Sequence, residues 1–230
     1  MATRTPRPQR RNQVLSRELI IETAIGLLDA GGEGALTTRA LTERLSTGSG
    51  AIYYRVGSRD ELLDTATETI VTTALAAKPV QATAVPEDEI RTVALALFDA
   101  IVEHHWLAAR LTSHVVRQPF GPVTVEIFER IGRQVGALGV RRASWFDAAS
   151  TLVHYILGAV SQNARIDDYT STVNPRRAEF LGATAAAWQE LDPEHYPFMH
   201  AIVGQMNEHD DREQFLTGIA VVIDGLGRLR

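Results

Sequence analysis

In the first part of the chain, apolar residues recur every three or four positions, which is the spacing of one face of an α-helix. This spacing predicts a first helix over about 17–31 and a longer helix that ends near residue 77. Between them it predicts two short helices, over about 38–45 and 49–55, joined by a brief turn. Residues 16–77 are therefore predicted to form one domain of three helices and a connecting fourth.

Capping residues mark the ends of these helices. Ser16 and Thr37 carry hydroxyls that can accept hydrogen bonds from the free N–H groups at a helix start. Gly31-Gly32 can end the first helix, because glycine adopts the backbone conformation that terminates one. Ser58 followed three residues later by Glu61 is the sequence of a capping box. Local sequence thus indicates where each segment begins or ends.

Residues 86–230 show the same spacing in longer segments divided by proline and glycine. Pro86 is predicted to begin a helix, and the three acidic residues that follow it lie in the first turn, where negative charge interacts favourably with the positive end of the helix dipole. Asp211 with Gln214 is predicted to cap the last helix. The further helices are predicted over about 106–117, 122–137, 142–164, 175–190, 197–207 and 212–229. No stretch alternates with the two-residue period of a strand, so we predict an all-α protein.

Charge is distributed unevenly between the two ends of the chain. The 230 residues carry a net charge of −5, but residues 1–59 hold nine arginines against five acids, a net +4, which leaves −9 on the remainder. Residues 1–15 contain four arginines, two prolines and no acid, which predicts a disordered basic arm. Residues 78–85 are interpreted as a linker. A basic N-terminal segment on an otherwise acidic chain indicates that residues 1–59 contact phosphate groups.

Several classes of protein are not expected from this composition. The chain has no cysteine, so disulfides, thiolate metal sites and cysteine nucleophiles are excluded. It has no apolar run of membrane-spanning length and no signal peptide, so we expect a cytoplasmic protein without membrane contact. His104 and His105 are adjacent and diverge on a helix, and no histidine has metal-ligand spacing, so no metal is expected. No catalytic pairing or cofactor loop is found, so neither an enzyme nor a cofactor is expected.

Two short helices after a longer one are the arrangement of a helix-turn-helix unit. The second short helix must enter a major groove about 12 Å wide, so its outer surface should be small or hydrogen-bonding. Small side chains allow approach to base edges, and tyrosine hydroxyls and arginine reach phosphates. The helix carries Ser49, Gly50 and Ala51, then Tyr53, Tyr54 and Arg55. The pattern alone leaves an ordinary amphipathic helix with core aromatics as an open alternative.

The segment LTTRALTERLSTGSGAIYYRVGSRDELLDTA resembles the DNA-binding domain of the tetracycline-repressor (TetR) family of bacterial regulators. The resemblance rests on Leu-Thr-Thr-Arg at the second helix, Ile-Tyr-Tyr in the third and Ser-Arg-Asp-Glu-Leu-Leu at the fourth. The segments EHHWLAARL, GPVTVEIFERI and FLTGIAVVIDGLGRL are similar to the branch closest to the tetracycline repressor itself. The resemblance covers nearly everything from residue 16 onward.

This resemblance implies roles for individual residues. In the family the arginine after the two threonines reads a guanine, which implies that role for Arg39, although a solvated surface charge is the alternative. It implies a phosphate contact for Thr38. Base contacts are implied for Ser49, Gly50 and Ala51, and backbone contacts for Tyr53, Tyr54, Arg55 and Arg59. The turn departs from the family pattern of glycine, an aliphatic and a polar residue, since it reads Ser46-Thr47-Gly48; Thr42 also replaces a small alanine.

The larger domain is rich in aromatic residues that could fill a core or line a cavity. Taken one by one, each is a core candidate. Together with neighbouring polar side chains, and with the resemblance to a ligand-sensing family, they predict a pocket for a small-molecule effector. The candidate residues are Phe98, His105, Trp106, His114, Phe128, Tyr155 and Asn163.

Two helices, over about 145–160 and 215–229, are apolar nearly all the way round, so they need cover on both sides. The resemblance implies that they form the four-helix bundle of a symmetric homodimer. Burial at the centre of one protomer is the alternative. The candidate interface residues are Phe146, Val153, Leu157, Ile219, Val222, Ile223 and Leu226.

The sequence therefore predicts a ligand-responsive DNA-binding transcriptional regulator. Its partners would be a palindromic double-stranded DNA operator, a small-molecule effector that releases it, and a second copy of the chain. Repression by blocking the promoter is the family norm. The alternative is a small-molecule carrier or an adaptor without specific DNA reading. A carrier has no need for Arg39, Tyr54, Arg55 and Arg59 to share one surface, so these residues separate the two hypotheses.

Overall fold

The computed structural model describes residues 15–79, 85–169 and 175–230, without the side chains of 163–169, 175–178 and 207–208. Within that part of the chain 11 α-helices and no β-strand are present, which confirms the all-α prediction. The predicted basic arm lies outside the described residues except for its last position. The chain forms two compact units, with the boundary between Ala66 and Thr67 inside the fourth helix.

The first unit contains three helices and the beginning of a fourth. They are α1 (Arg17–Ala35), α2 (Thr38–Leu45), α3 (Ser49–Val56) and α4 (Arg59–Ala76). α1, α2 and α3 pack against one another. The side chains that are at most 1% exposed and form the centre of this unit are Ile20, Ala24, Leu28, Leu36, Leu41, Ile52, Leu62, Leu63 and Ala66. They come from all four helices and the α1–α2 connection, so α2 and α3 are held in place by a shared core.

The predicted caps of this unit are present. The hydroxyls of Ser16 and Thr37 each accept a hydrogen bond of 3.1 Å from the N–H three residues later. The N–H of Ser58 donates to the Glu61 carboxylate at 2.6 Å, and the Glu61 N–H donates to the Ser58 hydroxyl at 3.2 Å. The Ser58 backbone N–H, and after it the hydroxyl, hold the pKa of Glu61 below its ordinary value. The contribution of this cap to the free energy of unfolding is therefore fully present above the ordinary pKa of a glutamate. It is lost as pH falls through the lowered pKa of Glu61.

The glycine pair interrupts α1 where the sequence predicts an end. Gly31 and Gly32 have non-helical backbone angles, and Gly32 lies in the left-handed region with a φ of 64°. A short helical turn then continues to Ala35 before the chain enters α2. Glycine is favoured at Gly32 because a Cβ would disfavour this conformation.

The second unit contains the rest of α4 and seven further helices in the described residues. They are α5 (Pro86–Glu103), α6 (Leu107–Arg117), α7 (Pro122–Ala137), α8 (Trp145–Tyr169), α9 (Pro175–Gln189), α10 (Pro197–Ile202) and α11 (Asp211–Leu226). Short 3-10 segments precede α8 and follow α10 and α11. α8 packs against α6, α7 and α11, and α5 packs against α7 and α8. Among the described helices, none is long and apolar enough to cross a membrane.

The cap of the last helix differs from the prediction by one residue. The carboxylate of Asp210 accepts a hydrogen bond of 2.8 Å from the N–H of Glu213. Asp211, the predicted cap, already lies in the first helical turn, so its backbone angles place its side chain beyond the capping position. Asp210 and Asp211 are both suitable capping residues by type, and the backbone conformation before α11 determines which of them is the cap.

The turn between α2 and α3 contains a backbone conformation that L-residues rarely adopt. Ser46, with φ 50° and ψ 43°, is left-handed and is the one non-glycine residue with a positive φ among those described. This conformation costs an L-residue about 1–2 kcal/mol relative to glycine. This chain thus has Ser46 where the family's turn has glycine, at a position whose left-handed conformation glycine adopts without strain.

We expect Ser46→Gly to raise the free energy of unfolding by about 0.5–1 kcal/mol, because relief of the left-handed strain outweighs the larger entropy of glycine in the unfolded chain. Thr47→Gly is the matched control, since Thr47 has no positive φ and glycine there adds only entropy cost. Urea denaturation of the three proteins measures the difference. Equal destabilisation by both glycines would contradict the assignment of strain to Ser46.

Candidate functional site

α3 presents most of its surface to solvent. Its buried side chains are Ile52 and Val56, four residues apart on one face, and they anchor the helix to the core of the first unit. The other positions therefore point outward. Ser49, Gly50, Ala51, Tyr54 and Arg55 are exposed, and Tyr53 is half-buried. Tyr54 is 89% exposed, which excludes a core role for this aromatic ring.

The start of α2 lies beside α3 through a contact between two hydroxyls. Thr38 Oγ1 and the Tyr53 hydroxyl are 2.8 Å apart, and either can donate the hydrogen bond. Each oxygen keeps an acceptor site, and one of the two hydrogens stays free for another acceptor. The structure thus brings together two residues that the sequence motif named separately.

Arg39 lies one position further along α2 and is fully on the surface, with 87% of its side chain exposed. Its Nε donates a hydrogen bond of 2.8 Å to Oε1 of Glu43, one helical turn away. Sequence reasoning missed Glu43, although an acid four residues after an arginine on one helix face is a readable signal.

Arg59, at the beginning of α4, makes contacts that its sequence position does not reveal. Its Nε donates to the carbonyl of Leu36 at 2.9 Å and its Nη2 to the carbonyl of Glu33 at 2.6 Å. These carbonyls belong to the end of α1 and the α1–α2 connection, 23 and 26 residues away in sequence. The guanidinium therefore joins α4 to the frame of the first unit, a role additional to the predicted phosphate contact.

In the second unit, two candidate effector residues meet through a third aromatic residue. The ring of Phe215 in α11 stacks on Phe98, with centroids 5.1 Å apart, and on Tyr155, with centroids 6.1 Å apart. The Tyr155 hydroxyl donates to the Phe215 carbonyl at 3.2 Å, and burial raises the pKa of Tyr155. Phe215 was not predicted as part of the effector site, because it lies in the helix over about 215–229 that the sequence assigns to the dimer bundle.

The remaining effector candidates differ in how far they are buried. Trp106 and His114 are buried, Phe128 is half-buried, and His105 is exposed. His114 Nε2 lies 3.7 Å from a carboxylate oxygen of Glu68 in α4. The side chain of Asn163 lies outside the described residues.

Cavities lie along the second-unit part of α4. One of about 340 Å³ is bounded by α4 and α5, with Ile70 and Ala100 among its lining residues. Another of about 430 Å³ is bounded by α4 and α7, with Leu75 and Val123 among its lining residues. Neither is lined by a candidate effector residue. Across the described positions, no group of three or more histidines and acids is placed to hold a metal ion.

Most of the predicted dimer-interface residues are covered within the protomer, and the interface itself stays a prediction. Five of the seven candidates are at most 6% exposed because α8 and α11 pack on each other within the protomer: Val153, Leu157, Ile219, Ile223 and Leu226. These side chains therefore offer little surface to another copy. Phe146 is 76% exposed and Val222 is half-buried, and Val221 beside it is 66% exposed. These outer positions, together with Trp145 at 41% exposure, keep apolar surface on the two helices that a partner can contact.

Family models match both parts of the chain. Residues 20–66 match the model described as bacterial regulatory proteins, tetR family, and residues 85–229 match the tetracyclin repressor-like C-terminal domain. The structure of the transcriptional regulator SCO7222, a TetR from Streptomyces coelicolor, is 49% identical to this chain. It covers 94% of this chain and 99% of its own, with a TM-score of 0.82.

Two more distant structures have the same fold. ActR from Streptomyces coelicolor, in complex with actinorhodin, is 23% identical, with 93% of this chain and 96% of that chain covered and a TM-score of 0.76. BioQ from Mycobacterium smegmatis, with its double-stranded DNA operator, is 24% identical, with 92% and 98% covered and a TM-score of 0.64. With two family models that together span most of its length and a half-identical relative of the same fold, the chain belongs to the TetR family of bacterial regulatory proteins.

Proposed function

We propose that this protein is a ligand-responsive DNA-binding repressor that acts as a homodimer on a palindromic operator. The observation that carries the proposal is the outward face of α3, which has small residues at its start and tyrosine and arginine at its end. A helix that enters the major groove needs small residues where it approaches base edges and hydrogen-bonding residues where it crosses phosphates. The operator complex of the relative BioQ supports this assignment.

Each candidate residue has a role in this proposal. Arg39 pairs with a guanine, because a guanidinium can donate two parallel hydrogen bonds to O6 and N7. The start of α3 meets base edges through Ser49, Gly50 and Ala51. The residues assigned to phosphates are Thr38, Tyr53, Tyr54, Arg55 and Arg59. The positive charge of the front segment steers the protein toward DNA, and the acidic remainder limits other contacts with it.

A small-molecule effector binds the second unit in this proposal, as the actinorhodin complex of ActR suggests. The rings of Phe98 and Tyr155, which both stack on Phe215, offer aromatic surface beside the Tyr155 hydroxyl, and Trp106 and His114 are further buried candidates. The effector must bind the DNA-incompetent state more tightly than the DNA-bound state, or it shifts nothing. The protein then acts in the cytoplasm, where the chromosome is.

The test separates base contacts from phosphate contacts. An operator is first selected from a randomised duplex pool by the full chain. We expect Arg39→Ala to cost about 1–3 kcal/mol on the selected duplex and to relax specificity at one base pair per half-site. Arg55→Ala should weaken all duplexes alike and make the salt dependence shallower by about one unit per lost phosphate contact. Arg55 is the better control than Arg59, whose loss would also remove two hydrogen bonds to carbonyls.

Salt titrations on the selected and a scrambled duplex measure both effects. If Arg39→Ala weakened both duplexes equally, its role as a base reader would be wrong. If neither substitution changed DNA binding, the first unit would not be a DNA reader and a carrier or adaptor would be the better function.

A further inference from the structure

The ion pair between Arg39 and Glu43 has a consequence for how Arg39 can meet a base. Both side chains are largely exposed, 87% and 64%, and lie one turn apart on α2. An exposed pair at this spacing adds little to helix stability, because solvent screens it. Its main physical effect is therefore on the orientation of the guanidinium.

The hydrogen bond uses one particular edge of the guanidinium. Nε of Arg39 donates to Glu43 Oε1 at 2.8 Å, and the two terminal nitrogens have no hydrogen-bond partner in the part of the chain that the structure describes. The terminal nitrogens form the fork that matches O6 and N7 of guanine. Glu43 thus occupies the edge that the base does not need and leaves the other edge open.

Orientation in advance lowers the cost of reading the base. A free arginine side chain has many rotamers and loses that freedom when it binds. A guanidinium already held at Nε loses less conformational entropy on binding. More of the free energy of its hydrogen bonds to guanine is then available to distinguish guanine from other bases. The same carboxylate is repelled by phosphates, so it weakens contact with any DNA sequence.

We propose that Glu43 is a positioning residue that determines base specificity, by holding Arg39 through Nε so that the terminal nitrogens face a guanine. This rests on the proposed function, because it requires that Arg39 faces DNA. Glu43 contributes selectivity at the expense of overall affinity, which distinguishes it from a residue that merely stabilises α2.

The experiment uses the full chain and the duplex selected from a random pool, with single base-pair swaps of that duplex and a scrambled duplex. Glu43→Met and Glu43→Gln are a matched pair: they have similar length and no charge, but only Gln keeps an oxygen that can accept from Nε. Glu22→Gln is the charge control, since Glu22 lies exposed on α1 while Arg39 pairs with Glu43. Arg39→Ala and the double variant Arg39→Ala/Glu43→Met complete the set. Circular dichroism checks that each is folded, and Glu43→Ala replaces Glu43→Met if that variant is not.

We expect Glu43→Met to reduce the preference for the guanine base pair about two- to fivefold, which is the most that an exposed ion pair can contribute by orienting Arg39. Its affinity for scrambled DNA should rise. Glu43→Gln should show the same rise and keep most of the preference, and Glu22→Gln should keep all of it. The double variant should match Arg39→Ala, because Glu43 acts through Arg39.

Two results would overturn the proposal. If Glu43→Met kept the wild-type base preference while Arg39→Ala lost it, Glu43 would have no positioning role and the proposed function would stand. If Arg39→Ala itself kept the base preference, the assignment of Arg39 as a base reader and the role of Glu43 would fail together.

Discussion

Arg130→Met is expected to lower the free energy of unfolding by about 3–5 kcal/mol, because it leaves a buried carboxylate without its partner. Arg130 in α7 and Glu89 in α5 are 6% and 3% exposed. Nε and Nη2 of Arg130 donate to Glu89 Oε1 at 3.0 and 2.5 Å. Nη1 donates to the carbonyl of Leu75 at 2.9 Å, and Nη2 to the carbonyl of Lys78 at 2.7 Å.

The substitution therefore removes the counter-ion of Glu89 and the donors for carbonyls at and just beyond the end of α4. Arg133→Met is the matched control, since Arg133 lies on the same helix in an exposed ion pair with Glu129. That change should cost no more than about 1 kcal/mol. The double variant Arg130→Met/Glu89→Met should recover much of the loss, because no unpaired charge remains buried. Urea denaturation measures all three. If Arg130→Met proved as mild as Arg133→Met, the buried pair would not hold these elements together.

In the proposed homodimer, Phe146→Glu is expected to give a folded monomer that binds the proposed operator at least about 100-fold more weakly, because a single subunit binds one half-site and loses the gain from binding both half-sites at once. Phe146 is 76% exposed at the beginning of α8, so a charge there does not disturb the protomer core. Ile223→Glu, on α11, is the contrasting variant. Ile223 is 6% exposed, so a carboxylate there is buried without a partner and should unfold or aggregate the chain.

Sedimentation and circular dichroism separate these outcomes. A dimer that persists in Phe146→Glu at micromolar concentration would move the interface away from the start of α8. A folded Ile223→Glu monomer would mean instead that Ile223 does face a partner, contrary to its burial within the protomer.

Most of the helices could be predicted because their signals are local. The three- and four-residue spacing of apolar side chains and the caps at Ser16, Thr37 and Ser58 act within a few residues. The same holds for the DNA-facing candidates, which all lie in the short stretch from Thr38 to Arg59. Two core residues, Ile52 and Val56, are enough to decide which side of α3 faces outward.

The side of α8 and α11 that contacts the rest of the protomer could not be predicted in the same way. Their spacing shows apolar residues all round, and any neighbour, from the same chain or another copy, would satisfy it. Only the packing of the two helices on each other shows that Ile219 and Leu157 are covered while Phe146 is not.

Contacts between residues far apart in sequence depend on the tertiary structure alone. Arg130 meets Glu89 across 41 positions, Arg59 meets the Glu33 carbonyl across 26, and Tyr155 reaches the Phe215 carbonyl across 60. Residue type and spacing along the chain determine secondary structure, because hydrogen bonds and side-chain neighbours within a helix are three or four residues apart. Which charged or aromatic side chains become partners is decided by how the helices pack, and no local pattern encodes that.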